Sequence, residues 1–237
     1  MRSGPKKVEL SSSCSYQTSG TRRSPSPALI SNSNCDSNAN YPPSITTKTS
    51  KITVAITMPL IAQNPQPRVI LGLMTFGPTE SKGARITSLD EYNKCLDYFQ
   101  QQGFNEVDTA RIYVGGEQEA FTAKAHWKER GLTLATKWYP QEAGAHKPAV
   151  VREKLEQSLK ELNTNQVDIF YLHAPDRSVP FAETLEAVNE LHKEGKFVQF
   201  GLSNYTAFEV AEIVTTCAER GWVRPTIFQA MYNAISK

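Results

Sequence analysis

The sequence predicts an α/β fold in which a parallel sheet alternates with crossover helices, and three observations predict it. Six short apolar runs of strand length recur along the chain. Five helical patterns separate them, four of which close on a glycine. The strand ends fall near Thr75, Asp108, Lys137, His173, Ser203 and Gln229, at spacings of 33, 29, 36, 30 and 26 residues. Repeats of about 30 residues with this alternation are βα units. A doubly wound open sheet and a (β/α)8 barrel both fit. No G-x-G-x-x-G follows the first strand and no phosphate-binding G-x-x-x-x-G-K-[ST] occurs, which lowers the odds of the open nucleotide-binding sheets.

The elements follow in order. Arg68 to Thr75 is an apolar run ending at Phe76-Gly77-Pro78, as a buried strand entering a loop does. Ser88 caps a helix with Leu89, Tyr92, Leu96 and Phe99 at helical spacing, stopped by Gly103. Phe104 to Asp108 is the second strand, Glu117 to Arg130 a helix stopped by Gly131, and Leu132 to Trp138 the third strand. Pro148 opens a helix with Val151, Leu155, Leu159 and Leu162 on one face, and Val167 to His173 is the fourth strand. Phe181 to Glu194 is helical up to Gly195, Phe197 to Ser203 is the fifth strand, Phe208 to Arg220 is helical up to Gly221, and Thr226 to Gln229 is the sixth strand.

Residues 1–66 differ in kind. They are rich in Ser, Thr, Asn and Pro, with seven Lys and Arg against only Glu9 and Asp36. Such a segment buries too little apolar surface to offset its ordering entropy, so a disordered extension is expected, followed by one domain over 67–237. Its basic, acid-poor composition overlaps with organelle transit peptides, but prolines interrupt it and it has no clear amphipathic Arg-bearing helix. Met58-Pro59-Leu60 reads as a natural start, with residues 1–57 an upstream extension. The net charge of +2 hides a tail of +5 and a remainder of −3, so nothing in the folded part asks for a nucleic-acid partner. No run approaches the roughly 20 apolar residues of a membrane span. Cys14, Cys35, Cys95 and Cys217 lack metal-site or C-x-x-C spacing, so no metal centre is expected and a reducing, cytoplasmic compartment fits.

In a (β/α)8 barrel the chemistry gathers at the C-terminal ends of the strands. Those positions hold Asp108 with Tyr113 five residues on, then Lys137, then His173. Taken singly each has an ordinary reading: Asp108 as a turn cap, Tyr113 as a packing aromatic, Lys137 as a surface amine, His173 as a satisfied imidazole. Four proton-handling residues at three consecutive strand ends carry more weight. Together with Asp108-Thr-Ala110, Gly116-Glu117, Leu134-Ala-Thr-Lys137, Asp168-Ile-Phe-Tyr-Leu-His173 and Gly201-Leu-Ser-Asn204, they resemble the catalytic tetrad and signatures of the aldo-keto reductases. Gly72-Leu-Met-Thr-Phe-Gly77, His173-Ala-Pro-Asp176, Gly201-Leu-Ser-Asn-Tyr-Thr206 and Gln229-Ala-Met-Tyr-Asn233 look most like the aflatoxin-aldehyde reductase branch.

That resemblance implies a (β/α)8 barrel and NADPH-dependent reduction of an aldehyde or ketone. Tyr113 would donate the proton, a Lys137 ammonium would favour its phenolate, Asp108 would hold the lysine, and His173 would orient the substrate oxygen. Ser203, Asn204 and Gln229 would meet the nicotinamide carboxamide, Met74 and Thr75 would lie along the nicotinamide and ribose, and Asp108 would also touch that ribose. The implied partner is a small-molecule carbonyl substrate, with a homodimer as the branch's assembly. Relatives continue through a seventh and an eighth βα unit, whereas this sequence holds about six of eight. An incomplete barrel is therefore expected, with free edges at the first and last strands, weak NADPH binding and low stability. Two alternatives stand beside the reductase: a catalytically impaired remnant, and a non-catalytic binding module on the same fold, like potassium-channel β subunits.

Overall fold

The computed structural model describes residues 68–235, and the low-complexity extension expected over residues 1–66 lies outside the described residues. Six strands form one parallel sheet in sequential order. They are β1 (Ile70–Gly72), β2 (Glu106–Asp108), β3 (Thr133–Trp138), β4 (Val167–Leu172), β5 (Phe197–Ser203) and β6 (Ile227–Gln229). Five helices connect them: α1 (Leu89–Gln101), α2 (Gln118–Lys124), α3 (Pro148–Glu161), α4 (Phe181–Lys193) and α5 (Ala207–Arg220). The sheet curls, because Gln229 at the end of β6 donates to the Asp108 carboxylate at the end of β2, 3.1 Å away across three intervening strands. Among the two architectures left open by periodicity, this is the barrel type.

Strand alternation sorts the side chains into two layers. Outward residues such as Leu134, Phe170, Leu172, Phe200 and Leu202 pack against Leu96, Val151, Leu155, Val188 and Ile213 of the helices in the main core. Inward, Ala135, Ile169 and Tyr171 form a smaller cluster with Ile227. The register sets Lys137, Tyr171, Gly201 and Ile227 in one row across β3 to β6. Gly201 is required there: a Cβ on it would lie 2.4 Å from the Tyr171 ring and 2.8 Å from Ile227.

Helix boundaries follow the expected punctuation. Ser88 accepts from the Glu91 N–H at the start of α1, Pro148 opens α3, and Gly221 closes α5 in the left-handed region. One expectation fails. The helix read over Glu117 to Arg130 ends at Lys124, because His126 takes φ +56° and Trp127 turns inward, its indole N–H donating to the Leu162 carbonyl at 3.1 Å. Turns then carry the chain to Gly131.

Candidate active site

The 3₁₀ turn Tyr113–Gly116 after β2 delivers Tyr113 back over the strand ends. Within it Val114 (φ 50°, ψ 46°) and Gly115 (φ 60°, ψ 27°) are left-handed. For a β-branched residue this conformation costs on the order of 1–2 kcal/mol, so packing must hold it. Val114 is buried against Gly77, where a Cβ would meet its methyls at 2.9 Å.

Asp108, Lys137, Tyr113 and His173 converge. Lys137, fully buried, places Nζ 2.5 Å from each carboxylate oxygen of Asp108. The same Nζ lies 5.1 Å from the Tyr113 ring centre, and the Tyr113 and His173 rings meet edge to face at 5.8 Å. His173 Nδ1 is buried without a hydrogen-bond partner.

Burial dominates the electrostatics. Desolvation lowers the Lys137 pKa, opposed by the charge and hydrogen bonds of Asp108. His173 is pushed down to about 4, first by burial and then by the Lys137 charge, so its imidazole is neutral at pH 7. Tyr113 departs from expectation. Its phenol is raised above its ordinary value, by burial and by the Asp108 carboxylate, and not drawn toward phenolate. Burial is the larger cause, because it penalises the charged phenolate, and the Asp108 carboxylate adds to it. A phenol held protonated is a loaded donor.

The residues expected to meet a cofactor lie beside this group. Asn204, at φ 61°, gives its side-chain N–H groups to the His173 carbonyl at 2.9 Å and to Ser203 Oγ at 3.0 Å. Gln229 reaches Asp108 as described, and its carbonyl accepts from the Asn204 N–H at 3.2 Å. Met74 and Thr75 are tied to it only indirectly: the preceding Leu73 donates to the Asp108 carbonyl at 2.9 Å, while the Thr75 carbonyl accepts from Arg85 and Ile86 and Met74 is 57% exposed.

Sequence reasoning missed four contributing residues. Tyr171 lies beneath Lys137, its ring centre 5.8 Å from Nζ. Its phase was readable, since it sits two residues before His173 on an inward-facing run. Tyr139 meets His173 edge to face at 5.4 Å and directly follows the strand that carries Lys137. Arg111 and Glu119, a buried ion pair behind the Tyr113 turn, carried no signal beyond their charges. Among the described residues, no group of three or more His, Cys, Asp or Glu is placed to hold a metal ion, and no helix is long and apolar enough to cross a membrane.

Comparison with known proteins decides the family. Residues 68–237 match the model of the aldo/keto reductase family. The chain belongs to that family. Among curated relatives it is similar to aflatoxin B1 aldehyde reductase member 2 of Rattus norvegicus, with 41% identity over 176 residues, 73% of this chain and 46% of the relative. It is also similar to aldo-keto reductase pigE of Monascus ruber, with 42% identity over 179 residues, 71% of this chain and 52% of the relative. The chain spans about half the length of the curated relatives it matches. A solved aldo-keto reductase from Klebsiella pneumoniae in complex with NADPH superposes with a TM-score of 0.58 at 27% identity, covering 70% of this chain and 54% of that one. A second Klebsiella structure, an aldo/keto reductase with NADP and acetate, gives 0.53 at 26% identity, covering 62% of this chain and 49% of that one.

Proposed function

We propose that this aldo/keto reductase chain carries the proton-transfer site of an NADPH-dependent reduction of an aldehyde or ketone to an alcohol. One observation supports this above the rest: a buried Asp108–Lys137 ion pair lies beside a protonated phenol that itself meets a neutral imidazole edge to face at the strand ends. In the proposed reaction Tyr113 gives its proton to the carbonyl oxygen as negative charge grows there. The phenolate left behind sits beside the Lys137 ammonium, 5.1 Å from the ring centre, which favours it once the proton has gone. Asp108 holds the lysine in place and charged. His173, neutral, offers an N–H that orients the substrate oxygen without competing as a strong acid.

No side chain supplies a hydride, and NADPH would bring it. The chain's own residues fit a nicotinamide. Asn204 and Gln229 present amides at the ends of neighbouring strands, with Ser203 beside them, and carboxamide-to-amide pairing is what such a cluster offers. The two Klebsiella aldo-keto reductases were solved as NADP and NADPH complexes. We read the compartment as cytoplasmic, on the free thiols of Cys95 and Cys217.

The test is NADPH oxidation by the 237-residue chain with 4-nitrobenzaldehyde and succinic semialdehyde, beside Tyr113→Phe. General acid catalysis is worth about 10²- to 10⁴-fold, so Tyr113→Phe should lose that much in kcat. A parent chain that reduces neither aldehyde, or a phenylalanine variant as fast as the parent, would overturn the reading.

A further inference from the structure

The turn that carries Tyr113 needs an external clamp, since three of its four residues have positive φ and one of those is valine. The clamp is Arg111. Its backbone N–H donates to the Lys137 carbonyl at 2.9 Å, fixing the chain to the end of β3 just before the turn begins. Its guanidinium forks: one nitrogen bonds the Gly116 carbonyl, closing the turn, and another bonds the Glu119 carboxylate on α2. Glu119 has no exposure at all and takes a second hydrogen bond from Thr136 Oγ1 at 2.6 Å. Thr136 is the neighbour of Lys137 on β3 and points to the opposite face of the sheet.

A single buried network therefore ties three things together: the Tyr113 turn, the first turn of α2, and the outer face of the strand whose inner face carries Lys137. A planar fork meets two acceptors at fixed angles, which an ammonium on a flexible stem does not. A buried ion pair is weak evidence for stability and better evidence for fixing one geometry. The carbonyl of Gly116 and the carboxylate of Glu119 hold the guanidinium from two sides, so close to Gly116 that a Cβ there would stand 2.8 Å from its nitrogen.

We propose that Arg111, locked by buried Glu119, is a positioning residue that sets the Tyr113 hydroxyl over the Lys137–Asp108 pair. This rests on the proton-donor reading of Tyr113. Removing Arg111 alone would strand the buried Glu119 charge and strongly destabilise the domain. The decisive variant is therefore Arg111→Met with Glu119→Gln, which removes both charges together.

Two measurements test it in the full 237-residue chain. The first is the rate of 4-nitrobenzaldehyde reduction in a double-mutant cycle with Tyr113→Phe. Small misplacement of a catalytic group costs up to about 100-fold. The paired variant should therefore lose roughly 10- to 100-fold in kcat with Tyr113 present and less than about 2-fold in the Tyr113→Phe background, the KM for NADPH being unchanged. Equal losses in both backgrounds would mark Arg111 as merely structural and overturn the proposal. The second is the fluorine NMR resonance of 3-fluorotyrosine placed at residue 113, which needs no activity. One shifted resonance in the parent that collapses toward the solvent value in the paired variant supports positioning, while an unchanged resonance overturns it. If the parent chain reduces no aldehyde, the donor reading fails by itself and the fluorine signal still decides whether Arg111 holds the ring.

Discussion

Lys137 shows how one side chain can be both buried and charged. It stands in the row with Tyr171 and Gly201 and has no exposure; burial lowers its pKa, and the charge and hydrogen bonds of Asp108 oppose that in favour of the ammonium. Lys137→Met should therefore cost about 3–5 kcal/mol, the usual result of leaving a buried carboxylate unpaired, and adding Asp108→Asn should recover part of it. Urea unfolding of the single and double variants checks both. Gly201 matters for the same row from the other side. The Tyr171 ring lies where an alanine methyl would be, so Gly201→Ala should destabilise the domain by about 1–3 kcal/mol through overpacking. A denaturation midpoint equal to the parent's would contradict this. The requirement at Gly201 was invisible in the sequence, because it arises from a cross-strand neighbour, Tyr171, about 30 positions earlier. Asp108, Lys137 and His173, by contrast, were readable as polar residues ending apolar runs.

At the level of elements, punctuation decided what could be read. Ser88, Pro148, Gly195 and Gly221 announce the ends of helices by chemistry that acts within one turn, and the structure has its boundaries at or next to them. Helix α2 was misread because its pattern stays plausible to Gly131 while His126 adopts a conformation that nothing local demands; the pull comes from the Trp127 indole reaching Leu162 on another unit. The Arg111–Glu119 pair was hidden for a related reason, since charges on a short amphipathic helix ordinarily face water. Helix α5 carries a full capping box: Thr206 accepts from the Glu209 N–H and Glu209 from the Thr206 N–H, with Arg177 adding a 2.7 Å ion pair to the same carboxylate. Thr206→Ala should cost about 1 kcal/mol, equivalent to a fall in Tm of roughly 2–4 °C in a domain of this size. Calorimetry would detect it, with the rate of aldehyde reduction unaffected.

For the molecule as a whole, acid is the expected weakness. Burial pushes both His146 and His173 down to about 4. An unfolded chain would protonate them near about 6.5. Between those values the unfolded state binds more protons than the folded one, so stability falls as pH drops from about 6.5 to 4. Asp176 titrates below its usual range against its own desolvation, because its carboxylate accepts from Ser178 and the His146 N–H, and this extends the loss further down. Glu119, raised by burial, opposes it. Chemical denaturation midpoints between about pH 7.5 and 4.5 should show this slope, and His146→Leu should flatten part of it. The hydrogen bond from Gln229 to Asp108 joins residues 121 positions apart. During synthesis Asp108 and Lys137 leave the ribosome early and can pair as soon as β3 lies beside β2. Gln229 emerges long after them. The carboxylate at the centre of the site thus waits for the sixth strand to be made, and a nascent chain stalled before that point would hold the lysine but not yet the amide that braces its partner.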